Sequence, residues 1–145
     1  RDTMMNLGVL AETLETATSW SNLDNLYEAV RTAIIDSLAA QGTPAYVMTH
    51  ISHLYATGAS LYFTVLARQV DGDEDALIEQ WMTTKNAATQ AIVAAGGTIT
   101  HHHAVGKDHA AYLPDEVGSL GIKVLEAVKE TLDPAGILNP GKLVP

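Results

Sequence analysis

Histidines are the residues of this chain whose type and spacing best suit chemistry. All six lie in two short stretches: residues 50–53, and a run of His101, His102 and His103 followed by His109. Imidazole titrates near neutral pH, so it can transfer protons to a substrate or bind a phosphate when protonated. On an extended backbone His101 and His103 face one side and His102 faces the other. The run therefore predicts imidazoles that serve two surfaces or surround a ligand.

A metal ion is an alternative use for these imidazoles. Zinc takes three or four ligands in tetrahedral geometry, and His101, His103 and His109 supply three. No cysteine, no H-E-x-x-H motif and no acidic residue at a recognised spacing accompanies them. The polar loop that follows, residues 104–107, instead favours phosphate binding or proton transfer. We therefore assign no metal to the site.

Tyr62 is the second candidate for chemistry. Leu61 and Phe63 on either side of it are apolar, so the alternation of a strand turns Tyr62 toward the opposite, more polar face. A phenol acts as a base near pH 7 only when a cation or imidazoles lie close by. Tyr62 is thus either an acid–base group that works with the histidines or a tyrosine that only covers the sheet.

The composition excludes several classes of function. Eight Lys and Arg against 17 Asp and Glu give a net charge of −9, which argues against a nucleic-acid partner because phosphate binding requires a basic surface. The chain contains no cysteine, so a disulfide scaffold and a Cys nucleophile are excluded. No apolar run approaches the roughly 18 residues of a membrane span, and no signal-peptide pattern is present. We therefore expect a cytoplasmic protein.

Hydrophobic periodicity predicts the elements that position these groups. In chain order they are a strand over 4–12, a helix over 23–38, strands over 45–55 and 60–68, a helix over 77–92, a strand over 98–100 and a helix over 117–132. This order predicts an α+β fold, a ferredoxin-like antiparallel sheet with helices on one face, plus a C-terminal helix and an irregular tail. In such a sheet Tyr62 and the histidine run can meet on the uncovered face.

Two segments resemble a known family. Residues 96–107, GGTITHHHAVGK, and residues 133–143, DPAGILNPGKL, are similar to the C-terminal region of FAD-linked oxidases of the vanillyl-alcohol oxidase superfamily. The HHH-x-VGK form resembles the alkyldihydroxyacetonephosphate synthases, which make ether lipids. The tail is shared with D-lactate and glycolate dehydrogenases, which usually carry a GEHG-type sequence at the position of the histidine run.

The resemblance implies roles for individual residues. It makes Tyr62 the catalytic tyrosine, His101, His102 and His103 the essential histidine triplet, and Arg1 a substrate-binding residue. It also implies FAD, held mainly by an N-terminal domain that is absent from this sequence, so residues 1–145 form a single cap domain. Which residues of the chain touch the cofactor is not predicted.

The resemblance further implies a reaction. The acyl group of acyl-dihydroxyacetone phosphate is exchanged for a fatty alcohol without net redox change, after Tyr62 with imidazole help removes a proton next to the carbonyl. One alternative is an FAD-linked oxidase or dehydrogenase of D-2-hydroxy acids, and another is a non-catalytic ferredoxin-like binding module. The expected partner is a small lipid-phosphate or 2-hydroxy-acid substrate. Contact with a membrane surface and a homodimer are left open.

Overall fold

A three-stranded antiparallel sheet forms the centre of the fold in the computed structural model, which describes residues 2–144. The strands lie in the order β1-β3-β2. Their bounds are Val9–Ser19 for β1, Tyr46–Leu54 for β2 and Gly58–Arg68 for β3. The helices are α1 at Asp2–Met5, α2 at Leu23–Ala40, α3 at Glu74–Ala94 and α4 at Leu113–Leu132. This architecture confirms the predicted α+β class.

The core lies between one face of the sheet and helices α2 and α3. Strand β3 alternates, so that Leu61, Phe63 and Val65 point into the core while Tyr62 and its like-facing neighbours do not. Helix α2 contributes residues at every fourth position, which lie on one helical stripe: Leu26, Val30, Ile34 and Leu38. Because α2 and α3 cover the same face, the other face of the sheet is free to carry the polar residues.

Strand β1 starts later than predicted. Residues 2–5 form a single helical turn, and Gly8 then turns the chain with a φ of +80°, a conformation that favours glycine. The period-2 pattern predicted for residues 4–12 therefore joins two different elements. The real strand runs on to Ser19, which places Glu15 near the middle of the site described below.

The fourth strand, predicted over residues 98–100, does not form. The segment lies beside the outer edge of β1, where Thr98 N donates to the Ala17 carbonyl at 3.0 Å and Thr16 Oγ1 donates to the Thr98 carbonyl at 2.7 Å. Since one of these two bonds uses a side-chain hydroxyl, the segment is anchored without a regular ladder. It still occupies the position of an edge strand and carries the histidine run to the sheet.

Helix α4 begins at Leu113, earlier than predicted, and Gly118 interrupts it with a φ of +70°. Its apolar residues Leu120 and Val124 are exposed and do not reach the core. The helix ends at Asp133, whose carboxylate accepts from Ile137 N at 3.1 Å and Leu138 N at 2.9 Å. The DPAGIL part of the tail is thus a helix terminus. None of the helices within residues 2–144 is both long and apolar enough to cross a membrane.

Candidate active site

A row of polar side chains crosses the uncovered face of the sheet. Tyr62 on β3 lies directly opposite Glu15 on β1 and His50 on β2. The rings of His50 and Tyr62 stack with centroids 5.2 Å apart. Within residues 2–144 the Tyr62 hydroxyl makes no hydrogen bond. The phenol is therefore held in place by its ring and has its oxygen available.

The histidine run closes over this row from the β1 side. The ring of His103 meets Tyr62 edge-on, with centroids 5.5 Å apart and planes at 82°. The backbone is not extended here, because His102 and Ala104 have φ values of +61° and +64°. His101 and His103 turn toward Glu15, whereas His102 stacks on His53 at 4.5 Å and also meets the His101 ring at 4.1 Å, so the three imidazoles are not divided between two opposite sides as predicted.

Glu15 is the central residue that the sequence prediction missed. Its side chain is only 3% exposed, although it lies on the face that the helices leave open. The carboxylate accepts hydrogen bonds from His101 Nδ1 at 3.1 Å and from His53 Nδ1 at 3.2 Å. It also accepts from Ser52 Oγ and lies 3.5 Å from His103 Nε2. One carboxylate thus links both histidine stretches.

The surroundings of Glu15 keep it ionised. Burial raises the pKa of the carboxyl, but hydrogen bonds from Ser52, His101, His53 and Ser60 outweigh this and lower its pKa to about 2. Every group that bonds to an ionised carboxylate must donate, because the carboxylate has no proton to give. The network therefore has a fixed direction, with donors around a single negative charge.

A β-bulge brings His53 into this network. The pairing of β2 with β3 shifts between Ile51 and Leu54, so His53 leaves the strict alternation of the strand. Its ring turns to the uncovered face and reaches Glu15, while its backbone N donates to Ser60 Oγ at 2.9 Å. The sequence alone identifies His53 only as one of six histidines, and it carries no sign of the bulge.

His101 has a partner on each ring nitrogen. Its Nδ1 faces Glu15 and its Nε2 lies 2.9 Å from the hydroxyl of Tyr55. Tyr55 follows β2 directly, so this bond ties the end of the hairpin to the histidine run. His101 therefore stands as a support within the site, whereas His103 is the member of the run that touches Tyr62.

A metal ion would have to use a different trio from the one named by spacing. Within the described part of the chain, the ligand atoms that lie within 4.8 Å of one another belong to His53, His101 and His102. His109 is not among them: it is buried near Lys85, and burial and then that lysine lower its pKa. Because Glu15 already takes Nδ1 of His53 and His101, the geometry favours a hydrogen-bonded network.

Arg1, the predicted substrate-binding residue, lies outside the described residues 2–144. Its place in the site stays a prediction. A described cation close to the histidine run is Lys85 on α3. It lines a polar cavity of about 370 Å³ together with His103 and the loop that follows it.

Lys85 ties the loop after the histidine run to the body of the domain. Its Nζ lies 3.9 Å from Glu12 Oε2 on β1 and 3.8 Å from Asp108 Oδ2, and 5.3 Å from the centre of the Trp81 ring. The side chain is only 12% exposed, so solvent screens these charges poorly. Lys85 thus helps to fix the position from which His103 contacts Tyr62.

We expect the substitution Lys85→Met to lower the free energy of unfolding by about 2 kcal/mol, because it removes a largely buried cation that lies between Glu12 and Asp108. Urea unfolding followed by circular dichroism measures this. The exposed Lys123→Met is the matched control and should change stability by less than about 0.5 kcal/mol. Equal effects of the two substitutions would show that the Lys85 contacts contribute nothing.

Comparison with known proteins places this arrangement in a family. Residues 1–143 match the family described as FAD linked oxidases, C-terminal domain. The chain belongs to this family. The family is defined by its link to FAD, so FAD is the cofactor that membership implies. The resemblance seen in residues 96–107 and 133–143 is confirmed.

The curated relatives include synthases and a dehydrogenase. The alkyldihydroxyacetonephosphate synthases of Dictyostelium discoideum and Trypanosoma brucei brucei are 33% and 29% identical over 145 residues, which is all of this chain and 23% of each relative. The mitochondrial cytochrome-linked D-lactate dehydrogenase of Arabidopsis thaliana is 45% identical over 49 residues, 34% of this chain and 9% of that relative. The synthases therefore match along the whole FAD-linked oxidase domain.

A solved structure supports the same relationship. A crystallised alkyldihydroxyacetonephosphate synthase superimposes with a TM-score of 0.64 at 27% identity, over 97% of this chain and 22% of that chain. The FAD-linked oxidase domain described here thus spans less than a quarter of the length of these relatives.

Proposed function

We propose that this domain is the cap over the substrate site of an FAD enzyme that exchanges the acyl group of acyl-dihydroxyacetone phosphate for a fatty alcohol. The observation that carries the proposal is the contact of Tyr62 with His103 on one side and His50 on the other, on the uncovered sheet face. The match of synthases along the whole chain supports the choice of reaction.

FAD fits the described residues in one respect and not in another. The stacked rings of His50 and Tyr62 offer a flat aromatic surface on the open face, which suits contact with an isoalloxazine ring. The Gly96-Gly97 pair does not offer a cradle for the phosphates, because a Cβ at Gly97 would lie 2.7 Å from Thr16 Oγ1 and 2.8 Å from Leu26 Cδ1. We infer that an N-terminal domain holds most of the cofactor.

In this reaction Tyr62 holds and moves the decisive proton. His103, in contact with the Tyr62 ring, takes the phenolic proton, and the phenolate oxygen removes a proton from the carbon next to the substrate carbonyl. When bound, FAD supplies an electrophilic ring for the substrate carbon. The acyl group leaves as a carboxylate, the fatty alcohol takes its place and gives up its hydroxyl proton, so no net oxidation occurs.

The remaining predicted residues bind and orient. His101 and His102 hold the run in shape through Tyr55 and His53. Arg1 provides the cation for the substrate phosphate in this proposal. Its charge is needed because Glu12, Glu15 and Asp108 make the described surroundings acidic.

The second candidate function is oxidation of a D-2-hydroxy acid, favoured by the 45% identity to a D-lactate dehydrogenase over 49 residues. The two functions differ in what happens to the flavin. Full-length protein that keeps its yellow colour with D-lactate, and forms an ether lipid from acyl-dihydroxyacetone phosphate and hexadecanol, supports the synthase function. Bleaching by D-lactate without ether formation would support the oxidation. If neither reaction occurs, the result would favour the non-catalytic binding module.

We also propose that the full-length protein acts in the cytoplasm and touches membranes from the surface, because its long-chain substrates partition into lipid. A homodimer is part of this proposal. The domain itself carries the small-molecule site.

The hydrogen bonds of the histidines predict that the reaction needs no metal. We expect treatment with EDTA followed by desalting to leave the rate of ether formation unchanged, since both ring nitrogens of His101 already have partners. Loss of activity that zinc restores would instead make His53, His101 and His102 a metal site. Metal analysis of the purified protein provides the independent control.

A further inference from the structure

We infer that Glu15 is the positioning residue of this site: it fixes which ring nitrogen of His53 and His101 carries the proton and holds a negative charge against His103. The inference deepens the proposed function and rests on it for its effect on the reaction. The assignment of hydrogen to the ring nitrogens of His53 and His101 concerns the domain alone. Neither the family match nor the histidine motif assigns a role to this residue.

The hydrogen bonds between Glu15 and the two histidines can run in one direction only. An ionised carboxylate only accepts, so Nδ1 of His53 and Nδ1 of His101 must both carry hydrogen. In the neutral rings the lone pair then lies on Nε2. With this tautomer the hydroxyl of Tyr55, which lies 2.9 Å from His101 Nε2, donates to that nitrogen.

Glu15 also places a negative charge beside the ring of His103. The Oε2 atom of Glu15 lies 3.5 Å from His103 Nε2, on the opposite oxygen from the one that holds His53 and His101. When His103 takes the phenolic proton of Tyr62 it becomes positive, and the negative charge of Glu15 compensates it. A carboxylate behind an imidazole orients the ring and stabilises its protonated form in the same way in hydrolase triads.

Within residues 2–144, the other hydrogen-bond partners of the His53 and His101 rings are the hydroxyls of Ser60 and Tyr55, which can donate or accept. Glu15 is the acidic side chain with contacts to both histidine stretches within residues 2–144. Ser52 and Ser60 bond to the network, but each hydroxyl can rotate its proton and so imposes no tautomer. We therefore expect Glu15→Gln to keep the size of the side chain while removing the feature that orders the rings.

The test begins with the wild-type domain. Long-range nitrogen-15 and proton correlation spectra near pH 8 should show His53 and His101 with hydrogen on Nδ1. Hydrogen on Nε2 of both rings would overturn the inference, whatever the activity of the protein. This measurement needs no variant, so it holds even where a substitution prevents folding.

The second measurement uses variants in the full-length protein. Glu15→Gln should lower kcat of the exchange reaction at least 30-fold with little change in KM and alter the pH profile of kcat, and Glu15→Asp should recover part of the loss. Glu28→Gln, an exposed residue on α2, is the matched control and should be silent. An unchanged kcat and pH profile in folded Glu15→Gln would overturn the inference. A wild-type protein without exchange activity would instead overturn the proposed function.

Discussion

Tyr62→Phe lowers kcat for ether formation by the full-length protein about 10³-fold, because general acid–base groups typically contribute 10² to 10⁴. The substitution removes one oxygen that makes no hydrogen bond within residues 2–144, so the sheet and its ring contacts with His50 and His103 persist. KM should change little, since the lost interaction belongs to the transition state. Steady-state kinetics with labelled hexadecanol measure both constants.

Tyr46→Phe is the matched control for this experiment. Tyr46 lies on the same face of the sheet at the start of β2, opposite Leu66, and is 67% exposed. It should leave kcat and KM as they are. A Tyr62→Phe protein with wild-type kcat would remove Tyr62 from the chemistry and reduce it to a residue that covers the sheet.

His103→Gln lowers kcat about 10²-fold, and the histidines of the run are not equivalent. His103 is the member whose ring meets Tyr62, whereas His102 stacks on His53. His102→Gln should therefore cost clearly less than His103→Gln. The two variants are matched in chemistry and lie at adjacent positions, so single-turnover rates compare them directly.

The opposite ranking would contradict the arrangement of the site. A larger loss in His102→Gln would mean that the substrate lies on the His53 side of the run, away from Tyr62. Circular dichroism of each variant checks that the loop keeps its place, since His102 has a φ of +61° that glutamine adopts with difficulty.

Much of the fold could be predicted because periodicity is strong where burial is complete. The alternation around Leu61 and Phe63 correctly turned Tyr62 to the open face, and the fourfold spacing in α2 marked its buried stripe. Residues 98–100 were harder, because a β-branched segment at an edge can be held by side-chain hydroxyls as well as by a ladder. Gly8 separates α1 from β1, although one alternating pattern of apolar residues continues through both elements.

The site could be predicted only as far as its motifs. The run of three histidines is a local pattern, so it stands out in the sequence. Glu15 is one of two carboxylates in a strand rich in threonine and alanine, and only its register opposite Tyr62 reveals its place. The orientation of His53 depends on a bulge between Ile51 and Leu54, and no residue type in this segment predicts that bulge.

Long-range pairing explains the difference. Glu15 and His101 are separated by 86 positions, and their contact arises because residues 98–100 follow the edge of β1. A network of this kind depends on how distant segments pair in the fold, whereas a motif consists of consecutive residues. The same reasoning applies to Lys85, whose partners Glu12 and Asp108 come from a strand and a distant loop.

Labelling the oxygen of the fatty alcohol is the most direct test that the enzyme exchanges the acyl group for this alcohol without net oxidation. Full-length protein is incubated with acyl-dihydroxyacetone phosphate and hexadecanol labelled with oxygen-18, and the products are analysed by mass spectrometry. We expect an ether lipid that retains the label, an unlabelled fatty acid in equal amount, and a flavin that is as oxidised at the end as at the start. An unlabelled ether, a labelled fatty ester or a reduced flavin without ether would contradict it.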